Sequence, residues 1–417
     1  MNSLLSRFPL SLLRGVLFLL ATQLLLACGE GSKANNGENS TDSTQASGSA
    51  QPEDKLQYDR YWNDLARWLG GLKPLPGSKV KELYQLPGYD QHMAFWDKAW
   101  QYRDTLLLQK LDAWAADEFQ KAHLHTGNVF YPLSGPDFLT IYELFPNARK
   151  YIFYGLEPEG RLADSTYLNN LTQEQRQFAV RNLQNSLEDI LKMSFFVTRE
   201  MQRQLKASKM DGQFPIILSF MARHGVEVIR VEPIKLSGSP EPVVSAQPAE
   251  FDPEDRDITG LRFVFRQGPG EPLQTVEYWS LDILDTKISS TYPWFVEYLK
   301  AHAPTRTYFK AASYLMHWDN YSILRNTTLE ISDFILQDDS GIAYRYFDQN
   351  VWNIDYYGNY HKPKLDVWGG FQADLKRVFQ TNPNVKSIDF GIGYTNQEHN
   401  CNLIIARKKN GLFAQPS

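Results

Sequence analysis

The apolar pattern of this chain changes character three times. From Gly15 to Ala27 (GVLFLLATQLLLA) the sequence is uncharged and almost wholly apolar, with Arg7 and Arg14 as the basic residues before it. From Gly29 to Asp54 (GEGSKANNGENSTDSTQASGSAQPED) it has no aromatic residue, and alanine is its only aliphatic type. Such a segment cannot bury enough surface to fold. From Leu56 onward the pattern alternates between helical and strand periods, the signature of a mixed α/β protein.

Within that third region, Met93, Phe95, Trp96, Trp100, Leu106, Leu107, Leu108, Leu111, Trp114 and Phe119 recur at helical spacing, predicting one or two long amphipathic helices over 89–119. Val129 to Leu133 and Tyr151 to Leu156 read as buried strands with a helix over 136–145 between them, a strand-helix-strand unit. Thr172 and Gln175 have capping-box spacing and open a helix that runs to about Met193. A helix over 214–223 stops at His224-Gly225 before a strand over 226–231. Residues 233–257 are rich in proline, serine and acid, and are expected to form a loop or a boundary between a part spanning 56–232 and one spanning 258–417 of the same or a second domain. After them, 261–265 and 276–281 predict a hairpin, 307–309, 334–337, 343–347 and 402–406 predict strands, and 372–379 predicts a helix. The fold class expected is α/β mixed, with strand-helix-strand units in the N-terminal part and more antiparallel strands in the C-terminal part.

The first apolar run is about 13 residues, whereas a helix needs roughly 20 apolar residues to cross about 30 Å of hydrocarbon. A basic start followed by a short greasy core is the pattern of a signal peptide, here 1–27. The run ends Leu25-Leu26-Ala27-Cys28-Gly29, which resembles the lipobox of bacterial lipoproteins. That resemblance implies cleavage before Cys28 and lipidation of Cys28, with diacylglycerol on the thiol and an acyl chain such as palmitate on the new amino group. Three chains make an essentially permanent anchor where one is marginal. Gly29 stands where the family's inner-membrane retention signal has aspartate, so the resemblance implies a cell-envelope lipoprotein of the outer membrane. Residues 28–55 then form a flexible tether, and its 26 residues from Gly29 to Asp54 span roughly 28 Å in root-mean-square terms.

Charge and cysteine content narrow the classes further. Removing residues 1–27 takes away Arg7 and Arg14 and no acid, moving the formal charge from −5 to −7. This acidic balance gives no footprint for nucleic acid. The sequence contains two cysteines. With Cys28 acylated, Cys401 has no intramolecular partner, so the core rather than disulfides must hold the fold.

Two segments carry candidate chemistry. His123-Leu-His125-Thr-Gly-Asn128 leads into the first strand, and Ser134-Gly135-Pro136-Asp137 lies at the strand-to-helix turn after it. Backbone N–H groups at such a turn bind polar or anionic groups. The alternative is ordinary punctuation, with Ser134 capping the helix and proline at its first position. The Gly-x-Ser-x-Gly elbow of serine hydrolases is absent, since the chain reads Pro-Leu-Ser-Gly-Pro. His123 and His125 have the spacing to share a face and grip a metal, but a third ligand is not identifiable. The order from Val129 to Glu157 is similar to a nucleotide-binding half, yet one glycine, Gly135, stands where the fingerprint wants three, and loss of cofactor function is expected.

The second segment, Asp338-Asp339-Ser340-Gly341, is open to reading as a tight turn or as paired carboxylates that hold a calcium ion or act as general acid and base, although the calcium-loop spacing of an EF-hand is absent. Asp339 is the expected turn-former and Asp338 the expected acid or base. Late aromatics, among them Tyr344, Tyr346, Trp352, Tyr356, Tyr360 and Trp368, offer rings to a core or to a glycan. The SGPDF and DDSGI segments resemble exported bacterial proteins without an assigned activity, and that resemblance transfers no catalytic residue.

The function expected is an envelope-associated, membrane-anchored binding protein for a cell-wall glycan or peptide ligand. The alternative is an envelope enzyme, a hydrolase or transferase, using Asp137 or Asp338 as acid or base with Ser134 and His125 as helpers. No cofactor and no metal is expected.

Overall fold

A computed structural model describes residues 58–193, 210, 212–245, 257–360, 370–395 and 401–414. The signal peptide, Cys28 and the tether lie outside the described residues, as do Trp368 and most of the second half of the 233–257 segment.

Ten strands form one sheet in the order β4-β3-β5-β6-β2-β1-β7-β8-β10-β9. They are β1 (Asn128–Pro132), β2 (Lys150–Gly155), β3 (Glu227–Leu236), β4 (Val243–Val244), β5 (Ile258–Arg266), β6 (Gln274–Ser280), β7 (Thr305–Phe309), β8 (Ser332–Gln337), β9 (Trp352–Gly358) and β10 (Asn402–Lys408). The middle five, β6-β2-β1-β7-β8, are parallel, and both flanks are antiparallel. Numbered along the chain, the parallel strands lie in the order third, second, first, fourth, fifth. This is the doubly wound arrangement, and the direction of winding reverses between β1 and β7.

The helices that cover the sheet follow from its period of two. Along β1, Val129 and Tyr131 point to one face and Phe130 to the other. The first face is covered by α1 (Arg60–Leu69), α2 (Tyr89–Arg103), α3 (Gln109–Glu118), α4 (Phe138–Leu144), α5 (Gln173–Met193) and α6 (Phe214–Arg223), through Trp68, Trp96, Leu111, Phe138, Leu187 and Phe220. The second is covered by α7 (Pro293–Ala301), α8 (Ser322–Ile331) and α9 (Ala373–Thr381), through Phe295, Leu324 and Leu375. With both faces buried, the parallel strands carry apolar residues at successive positions, and each of the two cores holds rings such as Trp96 and Trp279 at under 2 % exposure.

Local capping signals open three of these helices, α1, α4 and α5. The Asp59 carboxylate accepts from Tyr61 N at 3.0 Å and opens α1. Thr172 and Gln175 make both bonds of the capping box, Gln175 N to Thr172 Oγ1 at 3.2 Å and Thr172 N to Gln175 Oε1 at 2.8 Å. α2 and α3 are joined through a single π turn, Asp104–Leu108, so the expected one or two helices are one helical run with an interruption.

The structure adds helices α1, α7 and α8 to the sequence reading and departs from it in two further segments. The 233–257 segment begins as strand, because β3 continues to Leu236 and pairs there with Ile258 of β5. Proline at 233 is tolerated on this strand, two strands from the parallel core. Tyr344–Tyr346 is a 3₁₀ turn rather than a strand, and the strand lies further on in β9. Both have alternating apolar residues, but Ala343 and Phe347 are buried as single plugs of a turn. Of the late aromatics, Trp352, Tyr356 and Tyr357 are buried in the two cores.

β9 closes against β10 at Gly358, whose φ is +79° and where a methyl group would overlap the Cys401 carbonyl oxygen. Gly358→Ala is therefore expected to destabilise the protein by about 2–4 kcal/mol, combining a strained left-handed backbone with a displaced partner. Urea unfolding followed by tryptophan fluorescence measures it, and an unchanged midpoint would show that this strand end is not tightly packed.

Candidate functional site

In a doubly wound sheet the ligand crevice lies beyond the carboxyl ends of the strands, where the winding reverses. Here that place is bordered by the turn after β1, the loop after β7 and the turn after β8.

The chain leaves β1 through Leu133, at φ +55°, and Ser134, whose N–H donates to Tyr154 O at 3.1 Å. Asp137 then caps α4: its Oδ1 accepts from Thr140 N at 3.2 Å, and its Oδ2 accepts from Tyr131 OH and Thr140 Oγ1, each at 2.8 Å. Lys310, the residue after β7, ion-pairs with the same Oδ2. The pair is enclosed, with Asp137 at 1 % and Lys310 at 4 % exposure. Burial pulls the Lys310 ammonium below its ordinary value, against the opposing pull of Asp137. The amino end of α4, where a phosphate group would rest, is thus occupied by a carboxylate of the protein itself.

The loop after β7 is strained. Ala311, Ser313 and Tyr314 all have left-handed backbones, at φ +53°, +55° and +58°. With Leu133, four of the five non-glycine residues with positive φ among the described residues stand in the two loops that flank the winding reversal. Each such conformation costs on the order of 1 kcal/mol and persists only where surrounding bonds enforce it. The turn after β8 supplies those bonds. Asp338 Oδ2 accepts from Ala311 N at 3.0 Å, and Ser340 Oγ accepts from Ala312 N at 2.7 Å. Asp338 Oδ1 accepts from Ser340 N at 3.0 Å and from the Ser340 hydroxyl. Gly393 lies against the same carboxylate, where any side chain would overlap Asp338 Oδ2.

The roles expected for the two adjacent acids are therefore exchanged. Asp338 forms the turn and holds the strained loop. Asp339, 2 % exposed, is the acid with unusual chemistry: burial first, and then the charge of Asp338, push its carboxyl up to about 8. Around it stand Tyr314, whose OH approaches Asp339 Oδ2 at 3.5 Å, and Asn402, whose Oδ1 accepts from Asp339 N at 2.9 Å. Gln372 Nε2 donates to Asp339 O at 2.9 Å. His317 lies beside the Asp339 backbone, outside hydrogen-bonding geometry, and burial with the Arg345 charge brings its ring down to about 4.

Ser134, Asp137, Asp338 and Asp339 are thus gathered at one end of the sheet, with Lys310 joining the loop after β7 to the first turn and Ala311 and Ala312 joining it to the third. His125 is not with them. It precedes the amino end of β1, a full strand length of about 16 Å away. Its Nδ1 accepts from Gly127 N at 2.8 Å, and its ring packs on Phe413. The Ser134 hydroxyl is buried and bonded to nothing, so neither His125 nor any other described histidine activates it. His123 is buried with Nδ1 on Leu144 O at 2.9 Å. Among the described residues no three His, Cys, Asp or Glu side chains converge as a metal site. Lys310, Tyr314, His317 and Asn402 were not singled out from sequence. A lone lysine directly after an apolar strand was the one available signal.

No family model, no curated protein and no solved structure matches this chain.

Removing one partner of the buried pair strands the other charge. Lys310→Ala and Asp137→Ala are each expected to cost about 3–5 kcal/mol, whereas the double variant Lys310→Met, Asp137→Leu loses less than the sum. Chemical unfolding of the three variants checks this, and additive losses would remove the pair as a coupled unit. Asp339 gives a second prediction with the opposite sign. Its acid is held neutral in the fold but ionises from about pH 4 in the unfolded chain, so the stability it contributes is full below pH 4 and is lost as pH rises towards 8. Asp339→Asn should therefore stabilise the protein at pH 7, by a margin that grows from pH 5 to 8. Thermal melts across that range test it, and a lower melting temperature for the variant at pH 8 would mean that the folded carboxyl is ionised.

Proposed function

We propose that the mature chain is a lipid-anchored, outer-membrane protein of the cell envelope that binds a cell-wall glycan or peptide ligand at the carboxyl rim of its doubly wound sheet. The observation that carries the binding reading is the concentration of left-handed, bond-enforced backbone in the loops on either side of the winding reversal. Strain of that kind collects at ligand clamps, and the topology sets it where this fold class takes its ligands. The address rests on Leu25-Leu26-Ala27-Cys28. No helix among the described residues is long and apolar enough to cross a membrane.

A nucleotide is disfavoured as ligand because the start of α4 already carries the Asp137 carboxylate, which would repel a pyrophosphate. A second reading, an envelope hydrolase or transferase, is favoured by the burial of Asp339 beside Asp338, which pushes its carboxyl up to about 8, the range in which a carboxyl serves as general acid. In that reading Asp339 replaces Asp137 and Asp338, whose carboxylates are engaged in holding Lys310 and the strained loop.

Two experiments separate these statements. Cys28→Ala should move the protein from the membrane to the soluble fraction and remove the lipid mass from its amino terminus. Mass spectrometry finding no lipid on the wild-type protein would refute the anchor. Purified peptidoglycan sacculi should sediment the mature protein and slow amide exchange over residues 133–137 and 310–321. Protection confined to other surfaces would sink the switch-point reading. Release of soluble fragments from the sacculi by wild type but not by Asp339→Asn would decide for the enzyme.

A further inference from the structure

The side chains around Asp339 share a property that narrows the ligand. Asn402 lies at the start of β10 with its Oδ1 committed to Asp339 N, so its amide faces the turn, and its Nδ2 is buried and bonded to nothing. His317 is 5 % exposed, and neither ring nitrogen has a partner. Tyr314 OH reaches the Asp339 carboxyl only at the long limit of 3.5 Å. Buried polar atoms are nearly always paired, and hydrogen bonds of a binding site are often long before the ligand arrives. Three adjacent groups with spare capacity, next to a loop held in strain, mark a place built to take polar atoms from outside the chain.

We infer that the ligand taken at the switch point is a neutral polyhydroxylated molecule, a sugar rather than an anion or a cation, held through Asp339, Asn402 and His317 with Trp318 as an apolar platform. This rests on the switch-point reading above and adds the class of ligand to it.

The hydrogen-bonding capacity of these groups carries the choice. The Asn402 amide and the His317 ring have unpaired buried nitrogens beside the Asp339 carboxyl, and together they offer both donors and acceptors. Sugar hydroxyls donate and accept at each oxygen, which this mixed set matches. A phosphate or carboxylate needs cations, and Lys310 is committed to Asp137. A divalent metal needs several converging ligands, and no three His, Cys, Asp or Glu side chains among the described residues supply them. Arg345 is occupied, donating to His317 O and packing on the Tyr346 ring. Trp318, directly after His317 in the same loop, is 49 % exposed. An exposed indole covers the C–H face of a sugar ring.

Calorimetry on the mature chain tests this with four probes: the tetramer of N-acetylglucosamine, inorganic phosphate, calcium chloride and an acidic pentapeptide. The tetramer is expected to bind and to slow exchange over 310–321 and 338–342. Asn402→Ala and Trp318→Ala should each weaken it by about tenfold, the scale of one lost buried contact. Asp339→Leu, of similar volume and without polar atoms, should weaken it on the same scale, with thermal melts showing that the variant is folded. Unchanged tetramer binding in a folded Asp339→Leu, or tetramer binding indifferent to both Asn402→Ala and Trp318→Ala, overturns the proposal. Phosphate, calcium or peptide protecting the same two loops overturns the sugar class while leaving the switch-point reading intact. Silence from all four probes also overturns the sugar class, whereas the broader reading falls only if sacculi fail to protect those loops.

Discussion

The buried ion pair between Lys310 and Asp137 is the constraint around which the carboxyl end of the sheet is organised. Neither charge can be tolerated there alone, since a lone ion in a low-dielectric interior costs several kcal/mol. Their mutual need fixes where α4 begins, how Tyr131 is oriented and how the chain turns out of β7. The strained loop from Ala311 to Tyr314 starts from that fixed point and is fastened on its other side by Asp338 and Ser340. Three strands that are remote in sequence thus meet through side chains whose polar atoms are nearly all committed to each other. Beside the Ser134 hydroxyl, what remains uncommitted there is the Asn402 amide nitrogen and the His317 ring next to Asp339.

That division of labour bears on how carboxylates should be read. Asp338 and Asp339 are neighbours, equally buried and chemically identical, yet one is tied down by two backbone N–H groups and a hydroxyl while the other is left to hold a proton. Burial raises both, and hydrogen bonds to the ionised form restrain the rise in the first. Adjacent acids in a sequence carry no mark of which will be which: Ser340 supplies two of the donors to Asp338 locally, but the third, Ala311 N, comes from the loop after β7.

Much of the fold was legible because its signals are local. The β1-α4-β2 unit, the capping box at Thr172, helix α6 with its stop at Gly225 and the β5-β6 hairpin all rest on periodicity and punctuation within a dozen residues. The fold class followed from them. What could not be read depended on distant partners. β9 looks no more like a strand than Ala343 to Phe347 until β10 lies beside it, and β3 persists through Pro233 because β5 returns to pair with it. The site divides in the same way. Ser134, Asp137 and the Asp338-Asp339 pair stood out by their turn context, whereas Lys310 and Asn402 acquire meaning only from the winding of the sheet. His125 was drawn in by nearness along the chain, although the strand between it and Ser134 sets them at opposite ends.

The packing of Cys401 beneath Gly358 has a consequence for redox chemistry. Its sulfur is fully enclosed, and burial keeps it in the thiol form, well short of the thiolate that attacks disulfides and peroxides. In an oxidising compartment an unpaired cysteine invites mixed disulfides, scrambled dimers and sulfenic acid. Here it behaves as a small apolar filler, and the folded chain can carry a spare thiol without the cross-linking that would follow if β9 and β10 came apart.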